Sequence, residues 1–276
     1  MSLSVNTNNA AINAFNNLSR TDDALRVSMN RLSSGLKVQT AADDAAGFVV
    51  SQYLSNQAGG YSVAISNGQN AVSVLQTAMG ALNESSQILQ TMEQLATQSA
   101  NGGAADSTAQ AANQQEFSAL QSELDQIAHT TTFGKTQLLD GTYNGTFQIG
   151  AYNATFDQIN VSISGVDSTS LGVGAGAASV GTTAAAQSAI TSVQTALSNL
   201  NTIQATLGAT QNEVQGIVSN LTVGQQNLTA ASSRITDTNM AQEMTNFTAK
   251  QILMQTGESM LAQANAAPQL VLKLLG

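Results

Sequence analysis

Four stretches of the chain carry an apolar residue every three or four positions, two toward each end. The first is Leu18, Leu25, Met29, Leu32 and Leu36, with Asp22 at the interrupted position. The second is Tyr61, Ile65, Val72, Leu75, Met79, Leu82 and Leu89, interrupted at Gly68 and Ser86. The third runs Val193, Leu197, Leu200, Leu207, Val214, Val218, Leu221, Leu228 and Ile235, with Gln204, Gln211, Gln225 and Ser232 at its polar positions. The fourth is Met240, Met244, Phe247, Gln251, Met254 and Leu261. This spacing is the heptad seam of a coiled coil. So narrow a stripe cannot enclose a core alone, so the N-terminal and C-terminal helices are expected to cover one another. The only proline, Pro268, lies close to the end, and nothing before it forbids long helices. A helix over 190–232 would extend roughly 65 Å at the α-helical rise. The expected fold is mainly α: long antiparallel helices in a coiled-coil rod with a small β-hairpin region, elongated rather than globular.

Glycines interrupt these stripes at Gly68, Gly80, Gly208, Gly216, Gly224 and Gly257. Each costs about 1 kcal/mol relative to Ala in a helix interior. They point either to close backbone approach or to packing that must adapt.

The middle changes character. Asn101-Gly102-Gly103 is a turn signal, and a shorter helix is expected at about 108–129 with Phe117, Leu120, Leu124 and Ile127 on one side. Thr146–Ile149 and Gln158–Ile163 then alternate with period two across Gly150–Ala154, which predicts a β-hairpin near 140–171. Residues 172–187, rich in Gly, Ala, Ser and Thr, read as a flexible linker or a hypervariable remnant. Gly172-Val173-Gly174-Ala175-Gly176 lacks the strand context and Gly-Lys-Ser/Thr ending of a phosphate loop.

Only 9% of residues are charged, against roughly 25% in ordinary soluble domains, so neutral polar side chains cover the surface. Such a surface repels its own copies weakly. Of the net charge of −9, the stretch 41–233 holds −11, with Lys135 alone against twelve carboxylates. Residues 1–40 are net +2 and residues 234–276 are neutral. The expected domains are a terminal coiled coil, 1–40 with 235–276, and a helical rod carrying the hairpin, 41–234. An acidic chain without a basic patch does not neutralise phosphates, which argues against nucleic-acid binding. No apolar run reaches the length of a membrane span, and the first residues lack the features of a cleaved signal peptide.

Chemistry is sparse. There is no cysteine and one histidine, His129, at an expected helix end. Asp43-Asp44 is the tightest carboxylate pair, but neighbours on a helix point about 100° apart and do not readily share an ion. No catalytic residue, metal site or cofactor is expected.

Several segments resemble one family. Asn30-Arg31-Leu32-Ser33-Ser34-Gly35-Leu36-Lys37 followed by Ala41-Ala42-Asp43-Asp44-Ala45-Ala46-Gly47 is similar to the N-terminal signature of bacterial flagellins, as are Val5-Asn6-Thr7-Asn8 and Gln98-Ser99-Ala100-Asn101. At the other end Ser233-Arg234-Ile235-Thr236-Asp237, Ala249-Lys250-Gln251-Ile252-Leu253 and Leu261-Ala262-Gln263-Ala264-Asn265 resemble the C-terminal signature. The resemblance implies a structural, non-enzymatic subunit of the extracellular flagellar filament, here in a minimal form without outer domains. It implies that Leu18, Leu25, Met29, Leu32 and Leu36 pack with Met240, Met244, Phe247, Met254 and Leu261 in the terminal helices and serve polymerisation. The rod core is then Val72, Leu75, Leu82, Leu89, Val193, Leu197, Leu200, Leu207, Val214, Leu221 and Leu228. Implied partners are further copies of the chain, an export chaperone, the flagellar type III export apparatus, the filament cap and hook–filament junction proteins. A junction protein is the alternative within the same structural class; a cytoplasmic enzyme or binding module is the remote one. Thr91 and Glu93 stand where many flagellins carry arginines that aid Toll-like receptor recognition, whereas Leu95 and Glu116 are kept. Receptor recognition is therefore expected to be weak.

Overall fold

The computed structural model describes residues 7–103 and 106–275 of the chain. Five helices dominate: α1 (Asn9–Ser34), α2 (Ala45–Ala100), α3 (Ser107–Thr130), α4 (Thr183–Thr236) and α5 (Met240–Leu275). Val5 and Asn6 of the opening signature lie outside the described residues. Side-chain caps set the helix starts. The Asn8 Oδ1 accepts from the Ala11 N–H at 3.1 Å, and the Asp106 Oδ1 accepts from the Ala109 N–H at 2.7 Å. The Asn239 Oδ1 accepts from the Ala241 N–H at 3.1 Å. These satisfy amides that no helical carbonyl can reach. Gly35, at φ 75°, ends α1 in the left-handed conformation that a β-carbon would oppose.

Packing divides the chain into Met1–Asn56 with Leu228–Gly276, and Gln57–Asn227; α2 and α4 contribute to both units. In the first unit α1 pairs with α5. The backbone joins where α1 ends: the Lys37 N–H donates to the Thr236 carbonyl at 2.6 Å, and the Thr238 N–H donates to the Gly35 carbonyl at 2.9 Å.

The signature Asp43-Asp44 belongs to the connection between α1 and α2. The Asp43 Oδ2 accepts from the Thr40 N–H (2.9 Å), the Gln39 N–H (3.1 Å) and the Thr40 hydroxyl (3.1 Å). The Asp44 Oδ1 accepts from the Gly47 N–H at 3.0 Å and caps α2. A β-carbon on Gly47 would stand 3.3 Å from the Ile235 Cγ2 and collide with the Asp44 carboxylate. The two aspartates close a loop and start a helix, and both carboxylates are occupied by backbone amides.

In the second unit α2 and α4 run antiparallel. The Gln194 Nε2 donates to the Glu93 Oε1 at 2.9 Å, and the Gln204 Nε2 donates to the Asn83 Oδ1 at 3.1 Å, so ten residues forward on one helix match ten back on the other. Leu75, Leu82, Leu89, Val193, Leu200, Leu207 and Val214 are buried between the elements of this unit; Val72, Leu197 and Leu221 are half-buried. Gly68 lets α4 close in, since a β-carbon there would lie 2.5 Å from a Val218 methyl. Gly80, Gly208 and Gly216 have no atom within 4 Å of such a carbon, so close approach does not account for them.

α3 adds Phe117, Leu124 and Ala128 to the same core. Two antiparallel hairpins follow. The short β1 (Thr132–Phe133) and β2 (Thr136–Gln137) turn at Gly134, a pair too short to show as alternation in the sequence. β3 (Asn144–Gln148) pairs with β4 (Gln158–Ser162), Phe147 opposite Ile159 and Gly145 opposite Val161. Ile159 and Val161 point inward while Gln158, Asn160 and Ser162 face solvent, as alternation requires.

Residues 172–187 are not a flexible linker. Val173 and Val180 are fully buried, Ala178 nearly so, and α4 already starts at Thr183. Polar side chains on one face of α3 hold this small-residue segment and the loop before it. The Gln121 Nε2 donates to the carbonyls of Val173 (2.6 Å) and Ala178 (3.2 Å). The Gln114 Oε1 accepts from the Val180 N–H at 2.6 Å, and the Asp125 Oδ1 accepts from the Ser168 N–H at 2.7 Å. A segment with little side chain of its own is ordered because its buried backbone groups find partners elsewhere.

Two outcomes follow. Gln121→Leu strands two buried carbonyls and is expected to lower unfolding stability by about 1–3 kcal/mol; denaturant unfolding measures it, and an unchanged midpoint contradicts the clamp. The backbone amides of Thr40 and Gln39 hold the Asp43 carboxyl below its ordinary range. Its stabilising share is therefore complete above that range and is lost as pH falls through the depressed value. Hydrogen exchange at the Gln39 and Thr40 amides should lose protection over that acid interval, and Asp43→Asn should remove this pH dependence.

Candidate self-association surface

The α1–α5 pair carries more apolar side chain than it encloses. The pairing is antiparallel: the Asn8 Nδ2 donates to the Ala264 carbonyl at 2.8 Å, and the Lys250 Nζ donates to the Ser28 Oγ at 3.3 Å and the Ala24 carbonyl at 3.4 Å. Along α1 the covered seam runs Ala11, Ala14, Leu18, Thr21, Leu25, Ser28 and Leu32. Along α5 it runs Glu243, Phe247, Lys250, Met254, Gly257, Leu261 and Ala264. Both sets step by three and four, so both are heptads.

This seam shares every second position with the expected one. Leu18, Leu25, Leu32, Phe247, Met254 and Leu261 are covered; Leu36 is half-buried beside the junction with Asp237. Met29, Met240 and Met244 are not in the seam: each is about half exposed. Ser28 on α1, and Glu243 and Lys250 on α5, are covered instead. Choosing the apolar neighbour displaces the seam by one residue at these places. The signal is present in the unbroken run Phe247, Lys250, Met254, Gly257, Leu261. Lysine fits because its stem lies along the interface while its ammonium reaches oxygen acceptors. Glycine fits because a β-carbon at 257 would come within 3.1 Å of the Leu18 Cδ1.

What remains outside the seam is a set of large apolar side chains. Ile12, Phe15, Val27 and Met29 stand on α1, and Met240, Met244, Ile252, Leu253 and Met260 on α5. Phe15, Ile252, Leu253 and Met260 are each close to 60% exposed. Val49, Val50 and Tyr53 of the same unit are exposed as well. Isolated exposed apolar residues are ordinary, but their concentration on this unit makes it the candidate surface.

The segment expected to meet a receptor is largely occupied. The Thr91 hydroxyl donates to the Gln87 carbonyl at 3.0 Å, and Glu93 is taken up by Gln194. Leu95 is buried in the core with Met92 and Phe117, so it is not a surface residue; Glu116 is exposed. Leu228, expected in the rod core, is half-buried in the terminal unit. His129 is exposed, and its carbonyl accepts from the Gln137 Nε2 at 2.9 Å. Among the described residues no group of three or more His, Cys, Asp or Glu is placed to hold a metal ion, and no helix is long and apolar enough to cross a membrane.

Residues 5–144 match the bacterial flagellin N-terminal helical region, and residues 190–275 match the bacterial flagellin C-terminal helical region. The flagellin of Bacillus subtilis (strain 168) is 39% identical over 303 residues, covering 98% of this chain and 99% of that protein. The flagellin of Halalkalibacterium halodurans is 39% identical over 272 residues with the same coverage. Among solved structures, the crystal structure of Bacillus cereus flagellin superposes with a TM-score of 0.50 at 31% identity, over 60% of this chain and 94% of that one. Near-complete coverage of relatives of similar length, signatures at both ends and a helical fold with two small hairpins agree: the chain belongs to the bacterial flagellin family, the structural subunits of the flagellar filament.

Proposed function

We propose that the apolar side chains left outside the α1–α5 seam are the surface through which subunits join in the filament. The observation that carries this reading is the set Ile12, Phe15, Val27, Met240, Met244, Ile252, Leu253 and Met260, exposed on the two helices with the most weakly closed packing. Burial against another copy removes this surface from water, at about 1.5–3 kcal/mol for each fully covered large side chain. The small net charge of the terminal segments, +2 and zero, keeps repulsion between copies small. A half-covered two-helix pair is marginal by itself, so assembly would also complete the folding of the ends.

The subunit acts without catalysis. It leaves the cell through the flagellar type III apparatus, held beforehand by an export chaperone, and is added beneath the filament cap onto hook–filament junction proteins. The absence of cysteine suits a chain that passes unfolded through a channel. Toll-like receptor recognition is weak, because the side chains at 91 and 93 are a threonine and a carboxylate engaged within the subunit.

Replacing Ile252 and Leu253 together by serine should leave monomer unfolding nearly unchanged, because both side chains are mostly exposed. It should raise the critical concentration for polymerisation by about tenfold or more, the equivalent of 1.4 kcal/mol. Sedimentation of polymers across a concentration series reads this directly; an unchanged critical concentration rejects this surface. In a receptor reporter assay the monomer should be markedly less potent than a flagellin with arginines at the matching positions, and T91R/E93R should raise its potency. Full potency of the unmodified chain overturns the receptor reading.

A further inference from the structure

We propose that Asn101 is a site of spontaneous covalent modification, converting to aspartate and isoaspartate through a cyclic imide with Gly102. Asparagine before glycine is the most reactive context for this chemistry, because glycine offers no β-carbon to shield its amide nitrogen. The chain has three such pairs: Asn67-Gly68, Asn101-Gly102 and Asn144-Gly145. The fold treats them differently.

Asn67-Gly68 lies inside α2, with Gly68 buried and the Asn67 Nδ2 donating to the Gln148 carbonyl at 2.9 Å. Asn144-Gly145 lies in β3, its residues registered against Ser162 and Val161 of β4. The imide needs the backbone of the asparagine and the following nitrogen to turn toward the side chain. A helix and a paired strand both forbid that until they open locally. Asn101-Gly102-Gly103 is the turn after α2, and all three residues are exposed. The Asn101 side-chain amide makes no hydrogen bond among the described residues. Its Oδ1 lies 3.8 Å from where a Gly103 β-carbon would be, so the side chain curls forward over Gly102.

The step balances without any co-reactant except water. The Gly102 nitrogen attacks the Asn101 Cγ, a C–N bond forms, and the Cγ–Nδ2 bond breaks with loss of ammonia. Water then opens the imide at either carbonyl. Opening at the Cγ carbonyl gives aspartate; opening at the backbone carbonyl gives isoaspartate, with the main chain routed through the side-chain carbon. Both products add a negative charge to a groove of about 710 Å³ that Glu93, Asn101 and Asn113 help to line. Isoaspartate also lengthens the chain beside Gly102, where a β-carbon would already come within 2.8 Å of the Thr183 hydroxyl.

The test is to age the full-length soluble chain in mildly alkaline buffer and follow all three sites by peptide mapping, with an isoaspartate-specific methyl-transfer assay as a second readout. Conversion at Asn101 should run at least about tenfold faster than at Asn67 or Asn144, the ratio reflecting the local opening those two sites need. Asn101→Gln, which cannot form the five-membered ring, should remove most of the isoaspartate signal while leaving the unfolding midpoint unchanged. Equal rates at the three sites, or an isoaspartate signal that survives Asn101→Gln, overturns the proposal.

Discussion

Everything in the terminal unit rests on a seam that has one strong apolar residue per heptad on each helix. Leu18, Leu25 and Leu32 meet Phe247, Met254 and Leu261, and the alternate positions go to Ala14, Thr21, Ser28, Glu243, Lys250 and Gly257. A seam of this kind is specific without being strong. In this register Lys250 reaches the Ala24 carbonyl and the Ser28 hydroxyl on α1, and Gly257 leaves room for Leu18. Polar seam residues of this sort set alignment at a cost in stability. The cost leaves the helices dependent on further burial, and their outer faces supply the apolar surface for it.

The second unit is built on the opposite principle. Its helices bury most of their leucines, valines and alanines, and its polar contacts lie at the margins or hold loops. The two parts of one subunit thus divide the work. One is closed and self-sufficient, the other is left open on its outer faces. The charge pattern follows this division: every lysine and arginine but Lys135 lies toward the ends, which leaves the middle of the chain net negative.

Much of this is legible in the sequence because helices and strands announce themselves through local spacing. The four heptad stripes, the α3 stripe ending near His129, and the alternation of Gln158 to Ile163 all rest on neighbours within a few residues. The failures lie where the deciding partner is distant in sequence. Residues 172–187 look unstructured by composition; their order comes from Gln114 and Gln121, more than fifty residues upstream. Leu95 looks like part of a surface segment, yet it faces the core with Phe117. The displaced terminal seam has a different cause. Hydrophobicity prefers Met29 over Ser28 and Met244 over Glu243, whereas the pair buries the polar residue at both places and leaves the methionines half exposed. Asp43 and Asp44 look like an adjacent pair with nothing to hold, and each is in fact engaged by backbone amides.

The junction of Gly35, Lys37, Thr236 and Thr238 has a consequence for how the terminal pair comes apart. Among the described residues, backbone hydrogen bonds fasten α1 to the α4–α5 corner at that one place, and the pair is fastened like a zipper with a stop at one end. Sliding by a residue would break the stop, so the helices separate by peeling rather than by slipping. Peeling starts at the far end, beside Asn8 and Ala264, and advances toward Gly35. A subunit losing its ends therefore does so in a fixed direction, and rejoining restores the original alignment without a search.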